Sequence, residues 1–111
     1  MKKSFLFLVL FAFLTLVTSN AAVYKGQKVF VKNCVECHED GQGFIAKKKI
    51  REWKKIMAKD GIALSEMHLS EKAAEKSWSY FESNKYAKDS KHLSQFLEEY
   101  AKDSGNVPAC N

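Results

Sequence analysis

The chain has 111 residues, 46% hydrophobic and 28% charged, with 18 Lys and Arg against 13 Asp and Glu for a formal net charge of +5. That length makes one small domain. A positive balance this mild argues against a dedicated nucleic-acid binder, and no repeat or low-complexity tract points to a repeat architecture.

Met1-Lys2-Lys3 is a short basic start, followed by an apolar run from Phe5 to Val17 broken only by Thr15 and then by Thr18-Ser19-Asn20-Ala21-Ala22. These are the three regions of a secretory signal, with Ser19 and Ala21 at the small-residue positions that a signal peptidase reads. Cleavage after Ala21 leaves 90 residues, 16 basic and 13 acidic. The competing reading is an uncleaved anchor, but a spanning helix needs about 20 apolar residues and this run is shorter. The expected location is therefore outside the cytoplasmic membrane, in the periplasm. A domain of this size buries only about 60–65% of its extended surface, so a covalently held group would enlarge its core considerably.

Val23, Gly26, Val29, Phe30 and Asn33 form a helical stripe that runs straight into Cys34-Val35-Glu36-Cys37-His38. Cys-x-x-Cys-His is the spacing that fixes haem covalently. Two thiols three positions apart can each add to one vinyl group of a single porphyrin, and the next histidine lies under the iron as proximal ligand. Two other chemistries use paired cysteines. Structural zinc wants four ligands, usually from a second pair, and the remaining cysteine is Cys110 alone. A thioredoxin-like pair needs a βαβ setting, and residues 23–60 do not alternate like strands. In an exported protein Cys110 is a free thiol or an intermolecular bridge.

Ile50, Trp53, Ile56 and Met57 make a second stripe, which the sequence ends at Asp60-Gly61. Ser70 is expected to cap a third helix bearing Ala73, Ala74, Ser77, Trp78 and Phe81 on one face. Leu93, Phe96, Leu97, Tyr100 and Ala101 make a fourth, ended by Ser104-Gly105. Residues 39–43, 62–69 and 84–90 read as linkers. With no strand candidate the expected fold class is all-α.

These residues resemble the class I cytochrome c family. The likeness is carried by Gly26 and Phe30, eight and four positions before Cys34, and by Leu97-Glu98-Glu99-Tyr100, which matches the Leu-x-x-Tyr of that family's last helix. In the family the glycine and aromatic let the first helix cross the last one closely. Ser77-Trp78-Ser79-Tyr80-Phe81 is a competing match for that last helix. The likeness covers residues 23–82, and 84–111 then reads as an added C-terminal helix and tail. From the haem motif through Trp53-x-x-x-Met57 to Gly61-x-x-Leu64-Ser65 the chain is also similar to small mono-haem subunits of periplasmic oxidoreductases, including molybdenum sulfite dehydrogenases, and to dihaem cytochromes whose second iron ligand is histidine.

The resemblance implies one haem c on Cys34 and Cys37, with His38 on the iron. For the sixth position it favours Met67, in a loop ahead of the Ser70 helix and fourteen positions before Phe81. His68 stands where the family has a proline, and 28 residues between His38 and Met67 is a short span for the family. His68 is therefore the second candidate and Met57 the third, although a methionine at helical spacing from Trp and Ile is more often core. His92 reads as a surface residue. Trp53 is either a propionate hydrogen-bond donor, as in many relatives, or a core aromatic. Lys47, Lys48, Lys49, Arg51, Lys54, Lys55 and Lys59 place seven positive charges within 13 residues. That run is either a docking patch for an acidic redox partner or the solvated side of a helix.

The expected function is that of a periplasmic electron carrier serving redox proteins of the periplasm or the membrane respiratory chain, with no substrate or catalytic activity of its own. Two alternatives stand beside it. One is a haem subunit held permanently by an oxidoreductase such as a molybdenum enzyme; the other is a ligand-binding or peroxidase-like haem protein with an open sixth site.

Overall fold

In the computed structural model, residues 21–106 are described; nearly all of the expected signal segment (1–21), with Pro108 and Cys110, lies outside the described residues. The first helix, α1 (21–33), meets its partner at Gly26. A Cβ there would sit 2.6 Å from the Phe96 Cβ and closer still to the His92 carbonyl oxygen. Only a residue without a side chain permits that approach. One turn later Phe30 is 2% exposed, its ring 5.5 Å from that of Phe96.

The helix crossed at Gly26 is α5 (Asn84–Glu99), which buries Tyr86, Ser90, Leu93, Phe96 and Leu97. Each large apolar side chain fully buried in this way contributes about 1.5–3 kcal/mol. The expectation of a linker over 84–90 is thereby corrected, and the helix expected within 84–111 packs into the core. Residues 84–99 are one helix, its inner face is core, and of the two candidate closing segments α1 crosses the one containing Leu97. The start of α5 is set by Ser83, whose side chain accepts a hydrogen bond from the Tyr86 N–H at 3.3 Å. Ser83→Ala should lower stability by about 1 kcal/mol, measurable as a shifted denaturation midpoint without a change in slope.

Between these two helices lie a short α2 (Gln42–Ile45) and the long α3 (Ile50–Leu69). α3 is two helices joined by a left-handed turn. Ala58 leaves helical geometry with ψ 152°, and Lys59, Asp60 and Gly61 follow with φ of 53°, 57° and 71°. The expected stop at Asp60-Gly61 therefore falls where the backbone breaks, but the chain then resumes as helix through Leu69 instead of running as a linker. Glycine visits the left-handed region freely, whereas Lys59 and Asp60 each give up about 1–2 kcal/mol there.

Ser70 does not cap the next helix. Its N–H bonds the Glu66 carbonyl at 3.1 Å, closing α3, and Glu71 takes the capping role by accepting from the Ala73 N–H at 3.4 Å. Lys72–Ser77 winds as a 3₁₀ turn, in which the Ser77 hydroxyl donates to the Ala74 carbonyl at 2.7 Å, before the single turn α4 (Trp78–Phe81). Such local side-chain bonding competes with regular α geometry. Among the described residues there is no strand, and no helix is long and apolar enough to cross a membrane.

Candidate functional site

The end of α1, both halves of α3, the 3₁₀ turn and α5 enclose one cavity of about 500 Å³ with largely apolar walls. That volume falls within the roughly 300–1,000 Å³ of cofactor and small-molecule sites. Cys34, Cys37, His38, Trp53, Met67 and His68 all line it, so the structure gathers the haem motif, Trp53 and two of the three sixth-ligand candidates around one space.

The motif is positioned by α1. The Cys34 N–H bonds the Phe30 carbonyl and the His38 N–H bonds the Cys34 carbonyl, both at 2.9 Å, so helical bonding carries on one turn past Asn33. The Gly41 N–H then bonds the His38 carbonyl at 2.8 Å and turns the chain away. Both cysteines are free thiols. Burial pushes the Cys34 thiol up to about 12, with the neighbouring Cys37 adding to the rise. A redox-active pair depends on the opposite shift, towards thiolate.

The His38 ring stacks on Phe44 with centroids 4.2 Å apart. Burial lowers its pKa, helped by the nearby His68 and Lys47 charges. A neutral imidazole is the form that donates a lone pair to a metal. Facing it, His68 stacks on Phe81 at 4.2 Å. Its Nδ1 lies 2.7 Å from the Leu64 carbonyl oxygen. A carbonyl can only accept, so that nitrogen carries the proton and Nε2 keeps its lone pair. The two imidazole centroids are 6.1 Å apart, with the rings nearly perpendicular at 80°.

The other ligand candidates are placed differently. Met67 reaches the cavity rim but is 49% exposed. Met57 is 5% exposed and packs beside Gly61, outside the cavity lining. His92, read from the sequence as a surface residue, is half-buried at the α1–α5 crossing. Trp53 is 2% exposed and its indole N–H donates to the Ile45 carbonyl at 2.9 Å. That bond occupies the indole donor and makes Trp53 a wall of the cavity, in keeping with the core-aromatic reading.

Phe44, Phe81 and Trp78 were not singled out as site residues. The first two stack on the histidines, and the Trp78 indole N–H donates to the His68 carbonyl at 2.8 Å. Their aromatic character was visible in the sequence, but nothing in the spacing tied it to either histidine. In the basic run, Lys47 pairs with Asp40 at 3.3 Å and Lys54 with Glu98 at 3.7 Å. Lys48 lines the cavity, while Arg51, Lys55 and Lys59 are exposed.

Among the described residues no three His, Cys, Asp or Glu side chains converge to hold a bare metal ion. The cavity does bring two imidazoles 6.1 Å apart and two thiols to one large apolar space, residues that would fit a metal carried by an organic ring. Comparison with known proteins finds no matching family model, no similar curated protein and no similar solved structure.

Proposed function

We propose that the chain is an exported mono-haem c-type electron carrier, its haem bonded to Cys34 and Cys37 and its iron held between His38 and His68. The observation that carries the reading is the His38–His68 pair beside a Cys-x-x-Cys-His motif. Two imidazoles on opposite sides of one metal, each nitrogen about 2 Å from it, place their centroids roughly 6 Å apart; the 6.1 Å separation fits that requirement. The cavity volume and its apolar walls fit a porphyrin as well. Bound there, haem supplies a one-electron ferric–ferrous couple.

The protein's own residues do the rest. Phe44 and Phe81 stack on the faces of the two rings, so His38 and His68 would hold the iron with little freedom to reorient. The Leu64 carbonyl holds the His68 ring through Nδ1, which would orient Nε2 for the metal. The largely apolar walls would limit water around the haem, and a second imidazole in place of a thioether would set a lower potential than methionine. His68 also disfavours the alternative of an open sixth site. A permanently bound haem subunit would need a spare docking surface, and the inner face of α5 is taken up by the core. The test is a spectroelectrochemical titration of the purified protein. One reversible one-electron transition is expected, about 59 mV per tenfold change in ratio. Absence of a reversible transition would overturn the carrier reading.

Electron transfer further requires docking, which we assign to the exposed cations Arg51, Lys55 and Lys59. The Arg51→Glu/Lys55→Glu variant should slow second-order reaction with an acidic redox partner, and raising ionic strength should slow the unmodified protein similarly. At 0.15 M salt the Debye length is about 8 Å, which removes long-range steering. Lys54 is unsuitable for this test, because its reversal would set a second carboxylate beside Glu98.

A further inference from the structure

The left-handed turn in α3 sits directly ahead of the helical arm that carries His68. Lys59 and Asp60 adopt positive φ although both have side chains, a conformation that persists only where the surroundings impose it. What imposes it is Tyr86. This residue of α5 is 3% exposed, and its hydroxyl donates to the Gly61 carbonyl at 2.6 Å. The two groups meet so closely that a Cβ on Gly61 would collide with the hydroxyl.

Beyond the turn the arm is lightly held. No residue from 62 to 69 is buried. Its ties to neighbouring elements include the Ser65 hydroxyl to the Phe81 carbonyl at 3.4 Å and the Trp78 indole to the His68 carbonyl at 2.8 Å. The His68 ring is bonded to Leu64 of its own arm and stacked on Phe81 of α4, so an opening that carries ring and arm together must break that stack. Segments with few buried contacts open at lower free energy than the core.

Resting on the haem reading above, we propose that Tyr86 is a positioning residue for His68. Its bond at Gly61 latches the arm, and release of the latch swings His68 away so that a small ligand such as cyanide or carbon monoxide enters the sixth position. The protein is then a carrier whose iron is gated, with the gate in the Lys59–Gly61 turn.

The test uses purified ferric holoprotein and cyanide. A two-imidazole spectrum is recorded first; a chain without haem, or one showing a methionine-ligand band, removes the haem or ligation reading and this proposal with it before any cyanide is added. With that spectrum in hand, the binding rate should level off at high cyanide, because opening of the arm becomes limiting. Tyr86→Phe should raise that ceiling on the order of tenfold, the ratio one hydrogen bond of ordinary strength supports, while leaving the resting spectrum unchanged. Tyr80→Phe removes a hydroxyl bonded to Asp89 instead, and should leave the ceiling where it was. Asp60→Gly relieves one left-handed residue without touching Tyr86 and should lower the ceiling several-fold. A rate that rises linearly without a ceiling overturns the gate. Equal acceleration in Tyr86→Phe and Tyr80→Phe overturns the latch.

Discussion

His68→Ala should remove the two-imidazole spectrum of the ferric protein and let cyanide and carbon monoxide bind without delay, whereas Met67→Ala should change neither. The contrast follows from how the second half of α3 is wound. If residues 62–69 were a loop, Met67 could be turned into the cavity. As a helix, the segment sets Leu64 and His68 four positions apart on one face, where the Leu64 carbonyl holds the imidazole, and leaves Met67 half in solvent. The His38 ring has no comparable partner across the cavity once His68 is gone. Loss of the ligand should also raise the potential, since an imidazole that stabilises ferric iron has been removed. Retention of the original spectrum in His68→Ala, with its loss in Met67→Ala, would return the sixth position to the methionine.

Gly26→Ala should destabilise the fold by about 2 kcal/mol, even though alanine is the better helix former by up to about 1 kcal/mol. Overpacking a closed interface costs about 1–3 kcal/mol, and here the nearest obstacle is a backbone carbonyl of α5 and not the end of a flexible side chain. The helices must part to admit the methyl group, which also loosens the Phe30–Phe96 contact one turn away. For a domain of this size the melting temperature should fall by about 8–16 °C. Gly26→Val should be worse, since a branched side chain has no rotamer that avoids the His92 carbonyl. An unchanged melting temperature in Gly26→Ala would mean that α1 and α5 do not cross at this point.

Much of this arrangement is written in local sequence. The stripe from Val23 to Asn33 is an amphipathic helix, and its glycine marks the close crossing because no other residue type gains from being there. Leu93, Phe96 and Leu97 announce a buried helical face in the same way. What the sequence conceals is non-local. The three-residue left-handed turn needs Tyr86, 25 positions from Gly61, to hold two ill-suited residues in place; Asp60-Gly61 alone looks like an ordinary helix stop. With the stop taken as final, residues 62–69 become a linker and Met67 a free ligand. Helical winding of that segment is what turns His68 inward. Trp53 shows the same limit: its burial follows from the stripe, but the partner of its N–H, the Ile45 carbonyl, lies across a turn that no periodicity describes. The start of α5 is hidden for a simpler reason, since Asn84–Ser90 is polar apart from Tyr86 and Ala87 and shows little apolar periodicity of its own.

Covalent attachment at Cys34 and Cys37 is the premise on which ligation, redox behaviour and gating all depend. Intact-mass measurement of the protein, purified from an exporting host and then unfolded in acid, tests it directly. The expected result is a mass greater than that of the polypeptide by one haem, lost when both cysteines are replaced by alanine. A mass equal to the bare chain, with the pigment released into the acid phase or absent from the start, would contradict the account.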